Sequence, residues 1–341
     1  MFDSGRKNRI EKSIGPLFLT PDDFEKYKPD LRYPNRNIKI GRGDIKKVWP
    51  QLVWFVWLNK VDAVKKLLDK GAKVDSFSSS NESALLMALG KLDITDISLP
   101  SLDERCYRML VEYSHSVETV NTLTSKRKLL PLIEAVKSGK PEIVNTLLQM
   151  GADINRRGET DQQSSLNVCI KMIGMLKNSE KYIEQQLNMP ITPEALDSIR
   201  RCNPGMTGFT LKHQFDNLSM SRLEPQLQEI EETLIRSRAE YMQRHASLSN
   251  LRTIAAILID NGADVNASHT SPLNGYTPLM LAVELDESEL VKKMLNHDGD
   301  LRKSYYSESL RQNVNCWTIA SAFQSRQVLE LLEDIKQYCS Q

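Results

Sequence analysis

The sequence predicts an all-α protein, a solenoid of about six helix-turn-helix units with one protruding antiparallel helical hairpin. Three observations predict it. Residues 129–155, LLPLIEAVKSGKPEIVNTLLQMGADIN, hold two short apolar helical patterns, a break between them and a polar end. The same phrase recurs in fainter copies along the chain. Aromatic residues make up only 6% of the 341, which disfavours a β architecture.

The phrase itself explains how a unit is built. Leu132, Ile133, Ala135 and Val136 form the apolar face of a first helix, which ends near Ser138 and Gly139. Pro131 and Pro141 each suit a first helical turn, where a missing N–H is no loss. Glu142 favours the positive end of the second helix. Ile143, Val144, Leu147 and Leu148 share one face of it. Gly151 follows at the C-terminal position that takes positive φ, and Asp153 and Asn155 open a turn.

This phrase resembles the ankyrin repeat, which opens on Thr-Pro-Leu-His-x-Ala and runs about 33 residues per unit. Gly151-Ala152-Asp153-Ile154-Asn155 and Gly262-Ala263-Asp264-Val265-Asn266 match the family's Gly-Ala-Asp-Val-Asn ending. Thr277-Pro278-Leu279-Met280-Leu281-Ala282 matches its opening, with Met280 in place of the histidine. Gly71-Ala72 closes an earlier copy. Another opens at Ser83 and ends near Ser114, where the glycine has been lost, and a last one opens at Trp317. One copy is split: its first half starts at Ser164, and its second half ends at Asn266, after an insertion of roughly seventy residues.

Four regions follow. Residues 1–47 read as an irregular N-terminal cap, covering an apolar helix around Trp49, Trp54 and Phe55. Thr20 and Asp23 mark a helix start inside it. Trp54 and Trp57 are the alternative there, as an exposed anchor pair. Residues 48–165 carry repeats, 166–260 the split repeat with its helical-hairpin insertion, and 261–341 the C-terminal repeats and cap. The apolar rhythm runs from Leu166 to Leu187 and again from Leu223 to Ile259, too long for ordinary repeat helices. Both arms are therefore expected to extend and pair antiparallel, with a tip at Pro190–Ser221.

Composition excludes several functions. Forty-five basic residues face forty-four acidic ones, so a net charge of +1 gives no global drive toward nucleic acid or an anionic membrane. No apolar run reaches membrane-spanning length, and the N-terminus lacks a signal-peptide core. Five scattered cysteines without a CxxC fit a reducing compartment, so a cytoplasmic location is expected. The five histidines are dispersed, and no metal site is expected. Gly41-Arg-Gly-Asp44 reads as a turn, and Lys137-Ser-Gly-Lys140 lacks the spacing of a phosphate loop. No motif points to an enzyme, a catalytic residue, a cofactor or a small-molecule substrate.

The resemblance implies a concave protein-binding surface, made of turn fingers and the exposed faces of the first helices. In this chain the fingers are 73–81, 154–161, 265–274 and 301–308. The expected contact residues there are Arg156, Arg157, Tyr276, Tyr305 and Tyr306, residue types common at interface hot spots. On the insertion tip they are Arg200, Arg201, Phe209, Lys212, His213 and Phe215. The expected partner is a protein. One reading makes the chain an inhibitor or immunity protein that caps a toxin or enzyme; the alternative makes it an adaptor, an effector recruiting cellular or host proteins, or a regulatory subunit.

Overall fold

In the computed structural model the described residues are 28–40, 47–95, 102–113, 115–125, 129–158, 163–179, 225–268, 275–307 and 312–338. They are mostly helical, and the helices pack in pairs. Helix α1 (Gln51–Trp57) pairs with α2 (Val61–Asp69), and α3 (Ala84–Gly90) with α4 (Arg105–Val111). A short helix, α5 (Val117–Asn121), follows. Then α6 (Pro131–Lys137) pairs with α7 (Pro141–Gln149). Helix α8 (Ser165–Lys177) pairs with α10 (Leu248–Asp260), and α9 (Pro225–His245) lies between them in sequence. Helix α11 (Pro278–Glu284) pairs with α12 (Ser288–Leu295), and α13 (Cys316–Phe323) with α14 (Arg326–Tyr338).

Each pair cannot bury its apolar face alone, so the pairs stack. The first helices form one continuous row, α1 on α3 on α6 on α8 on α11 on α13. The second helices follow beside them, with α7, α10, α12 and α14 in sequence. Leu85, Ala135, Cys169, Leu279 and Ala320 are buried in the first row; Leu67, Leu147, Leu258, Val291 and Leu332 are buried in the second.

The same local chemistry starts and stops the helices. Ser83, Ser164 and Thr277 cap α3, α8 and α11 by accepting from the N–H three residues on. Asn315 does this for α13 in a reciprocal box with Thr318. Pro131, Pro141 and Pro278 occupy first turns, as the sequence predicts. The second helices end alike: Gly71, Gly151 and Gly262 adopt positive φ, and the next N–H (Ala72, Ala152, Ala263) reaches back to Leu67, Leu147 and Leu258. Asp298 takes the glycine's left-handed position at the end of α12, and the Gly299 N–H bonds the Met294 carbonyl.

Three expectations change. The N-terminal segment holds a strand, β1 (Asn37–Ile40), antiparallel to β2 (Lys47–Pro50), rather than being irregular throughout. Trp54 is no exposed anchor: it is fully buried, stacked on half-buried Trp57 and edge-on to Trp49, while the Lys91 ammonium lies 5.2 Å from the Trp57 ring centroid. The stretch 223–259 is not one helix either. It breaks at Ala246–Ser247, where the Ser247 hydroxyl accepts from the Asn250 N–H and starts α10 afresh. Helix α8 stops at Lys177, short of Leu187, which lies outside the described residues, as do Thr20, Asp23 and Gly41-Arg-Gly-Asp44. Helix α9 packs on α8 and buries Ile235, Ala239 and Met242, one face of a helix.

Candidate protein-binding surface

The turns after the second helices are tied to one another by a repeated asparagine clasp. Asn35 donates through Nδ2 to the Gly71 carbonyl at 3.4 Å and accepts from the Lys73 N–H at 2.7 Å. Asn121 does the same to Gly151 and Asp153, at 2.9 and 2.7 Å. Asn155 does it to Gly262 and Asp264, at 3.0 and 2.8 Å. Asn266 does it to Asp298 and Asp300, at 2.7 and 2.9 Å. A carboxamide carries donor N–H groups and an acceptor oxygen side by side, as these two backbone groups require.

One joint departs from the pattern. Asp75 stands where the ending calls for asparagine, and a carboxylate cannot donate to a carbonyl. It accepts instead from the Ser116 N–H at 2.9 Å and the Thr119 hydroxyl at 2.6 Å, with His115 Nδ1 at 3.3 Å. Helix α5 supplies Thr119 and then the clasp residue Asn121, and Ser116 is its N-cap, with His115 just before it.

Strand β3 (Ser304–Ser307) pairs antiparallel with β4 (Gln312–Asn315), which runs straight into α13. This makes the C-terminal finger a β-hairpin. Neighbouring fingers touch closely: a Cβ on Gly275 would lie 2.7 Å from the Tyr305 Cβ.

The expected contact residues divide. Arg156 and Tyr306 are exposed, Tyr306 by 59%. Arg157 is half-buried and used internally; it donates to the Ser268 carbonyl at 3.2 Å and lies 3.7 Å from the Asp264 carboxylate. Tyr276 corrects the expectation: it is 3% exposed, edge-on to half-buried Tyr305, and its hydroxyl donates to Glu284 at 2.5 Å. Its place is in the core under the finger. Burial, then the Glu284 carboxylate, pushes its phenol far above the usual range. Arg200, Arg201, Phe209, Lys212, His213 and Phe215 lie outside the described residues.

The family model described as Ankyrin repeat matches residues 129–159 and 274–303. The chain carries ankyrin repeats. No curated protein matches it. The two matched ankyrin stretches are the ones whose phrases are clearest in the sequence, and Pro131, Gly151, Ala152, Thr277, Pro278, Leu279 and Ala282 fall inside them. Gly71, Ala72, Gly262 and Ala263 lie outside the matched residues, yet their turns have the ankyrin geometry of Gly151 and Ala152.

Among the described residues of these repeats, no three histidine, cysteine or acidic side chains gather as a metal site. No described helix is long and apolar enough to cross a membrane. A shallow groove between α10 and α12 is lined by Arg252, Thr253, Lys292, Lys293 and Asn296.

Sequence reasoning missed the clasps at Asn35 and Asn121. Asn155 and Asn266 share a fixed spacing from Gly-Ala-Asp, and that spacing was the available signal. Asn35 sits in no repeat phrase, and the insertion of α5 displaces Asn121 from its expected position.

Proposed function

We propose that the chain binds a partner protein across its finger edge and first-helix row, with the insertion as a second contact. In this reading all six helix pairs are ankyrin units of one solenoid, and the chain acts as a stoichiometric inhibitor or immunity-type protein. Ankyrin repeats are in general protein–protein interaction modules. The observation that carries the reading is the clasp series. Four asparagines hold successive turns in fixed register while Arg156, Arg302 and Tyr306 stay exposed beside them. A contact row ordered in advance loses less entropy on association.

The alternative is an adaptor or effector that recruits other proteins through the same surface. The test is affinity capture with the full chain, followed by identification and titration of the captured protein. Arg156→Glu together with Tyr306→Ala is expected to weaken binding at least tenfold, and deletion of 190–221 to weaken it further. A partner enzyme whose activity falls on titration supports the inhibitor reading; one that stays fully active supports the adaptor. If neither the charge reversal nor the deletion changes capture, the proposed surface is wrong.

A further inference from the structure

Helix α8 ends at Lys177, and α10, whose exposed face carries Arg252, completes the split helix pair. Both cations end on one carboxylate that belongs to neither arm. Lys177 Nζ donates to Glu287 Oε1 at 2.8 Å and to the Leu285 carbonyl at 2.5 Å. Arg252 donates through Nε to Glu287 Oε2 at 2.8 Å and through Nη2 to Oε1 at 2.9 Å. Glu287 is the residue before α12, only 5% exposed, and its own N–H is fixed on the Ala282 carbonyl.

A carboxylate so far from water is stable only when its oxygens are met by donors. Here the donors come from the two ends of the insertion. The bidentate arginine fixes orientation as well as distance. Around the cluster α8 packs against the Leu285 side chain, where a Cβ on Gly174 would lie 3.2 Å away. The thiol of Cys169 on α8 donates to the Leu251 carbonyl on α10 at 3.2 Å. The arms are thus packed and hydrogen-bonded to each other, and both are held to the following repeat by Glu287.

We propose that Glu287 is the positioning residue of the insertion. It fixes the end of α8 against the start of α10, and it makes both one body with the α11–α12 pair. A load on the insertion is then carried into the repeat whose finger bears Tyr305 and Tyr306. That the insertion is a recognition element rests on the proposed function; the clamp itself does not.

Hydrogen exchange of the full-length chain, read by mass spectrometry, tests the clamp. Glu287→Gln removes the carboxylate shared by both arms, Lys177→Met removes its α8 side alone, and Leu147→Ala serves as a control destabilised elsewhere. Peptides covering 170–179 and 246–256 are expected to exchange at least tenfold faster in Glu287→Gln, and 170–179 alone in Lys177→Met, while 131–149 and 316–338 keep wild-type rates. The Leu147→Ala control is expected to accelerate 131–149 most and to leave 316–338 at the wild-type rate. The double variant is expected to exchange no faster than Glu287→Gln alone, because that change already releases Lys177. Unchanged exchange at 170–179 and 246–256 overturns the proposal. So does a uniform acceleration across all helices, which would make Glu287 a general stabiliser. A local acceleration combined with partner capture that survives deletion of 190–221 supports the clamp and removes the insertion from the binding reading.

Discussion

Asn155 and Gly262 are 107 residues apart in sequence and are joined by one hydrogen bond, from the asparagine Nδ2 to the glycine carbonyl at 3.0 Å. The same side chain accepts from the Asp264 N–H at 2.8 Å. Every residue of the insertion lies between the two ends of that clasp, so the turn register continues across the interruption as though nothing had been added.

Loss of the clasp is expected to cost about 1 to 2 kcal/mol, since two hydrogen bonds of ordinary net worth disappear in Asn155→Ala. Asn155→Asp is the sharper variant. It keeps an acceptor for Asp264 and sets a carboxylate against the Gly262 carbonyl. Urea unfolding is expected to rank wild type above both, with the aspartate variant at least as unstable as the alanine one at neutral pH. Equal midpoints for all three would mean the clasp is geometrically present and energetically idle.

Gly262 adopts φ +87° with open space around its missing Cβ, whereas Gly275 at φ +95° faces the Tyr305 Cβ at 2.7 Å. The two glycines are therefore kept for different reasons. Gly262→Ala is expected to lose about 1 kcal/mol, the conformational cost of left-handed backbone. Gly275→Ala adds a clash with the neighbouring finger and is expected to lose more. Thermal unfolding of the two variants gives the order directly.

How much of this was legible depended on what a residue type can announce by itself. Pro131, Gly151 and Thr277 have narrow backbone roles, so their spacing declared helix starts and stops, and the structure places them there. Tyr276 misled because exposure is a tertiary property: the same ring serves a surface or a core, and here Tyr305 covers it. Arg157 misled likewise, since its partner Ser268 is 111 residues away. The arms of the insertion looked continuous because apolar rhythm does not register a single cap such as Ser247. Glu287 gave no signal because its two partners come from opposite ends of an insertion.

The buried thiols are expected to be chemically silent in the native chain. Burial pushes Cys106 up to about 11 and Cys316 up to about 12, and raises Cys169 further. The thiolate is the reacting species, so both its scarcity and its inaccessibility slow alkylation. A short iodoacetamide pulse at pH 8 is expected to label all three in urea and none in buffer, read by peptide mass spectrometry. Rapid native labelling at Cys169 would show that α8 and α10 separate, because its thiol is bonded to Leu251 across that interface.

Acid should expose the Glu287 cluster selectively. Burial alone would raise this carboxyl, but the bonds from Arg252 and Lys177 outweigh it and hold the group below its ordinary value. A depressed folded-state pKa means that the unfolded chain binds the proton first as pH falls. The cluster's stabilisation is therefore complete above the unfolded carboxyl value of about 4.3 and fades as pH drops through the lower, folded one. Glu287→Gln cannot titrate. The urea midpoint of wild type is expected to exceed that of Glu287→Gln by a constant margin near neutrality, and the margin should close as pH falls below the unfolded carboxyl value and on through the lower, folded one. Other carboxylates titrate in both proteins and cancel in the difference, so a margin unchanged down to pH 2 would mean that the ion cluster contributes nothing through its charge.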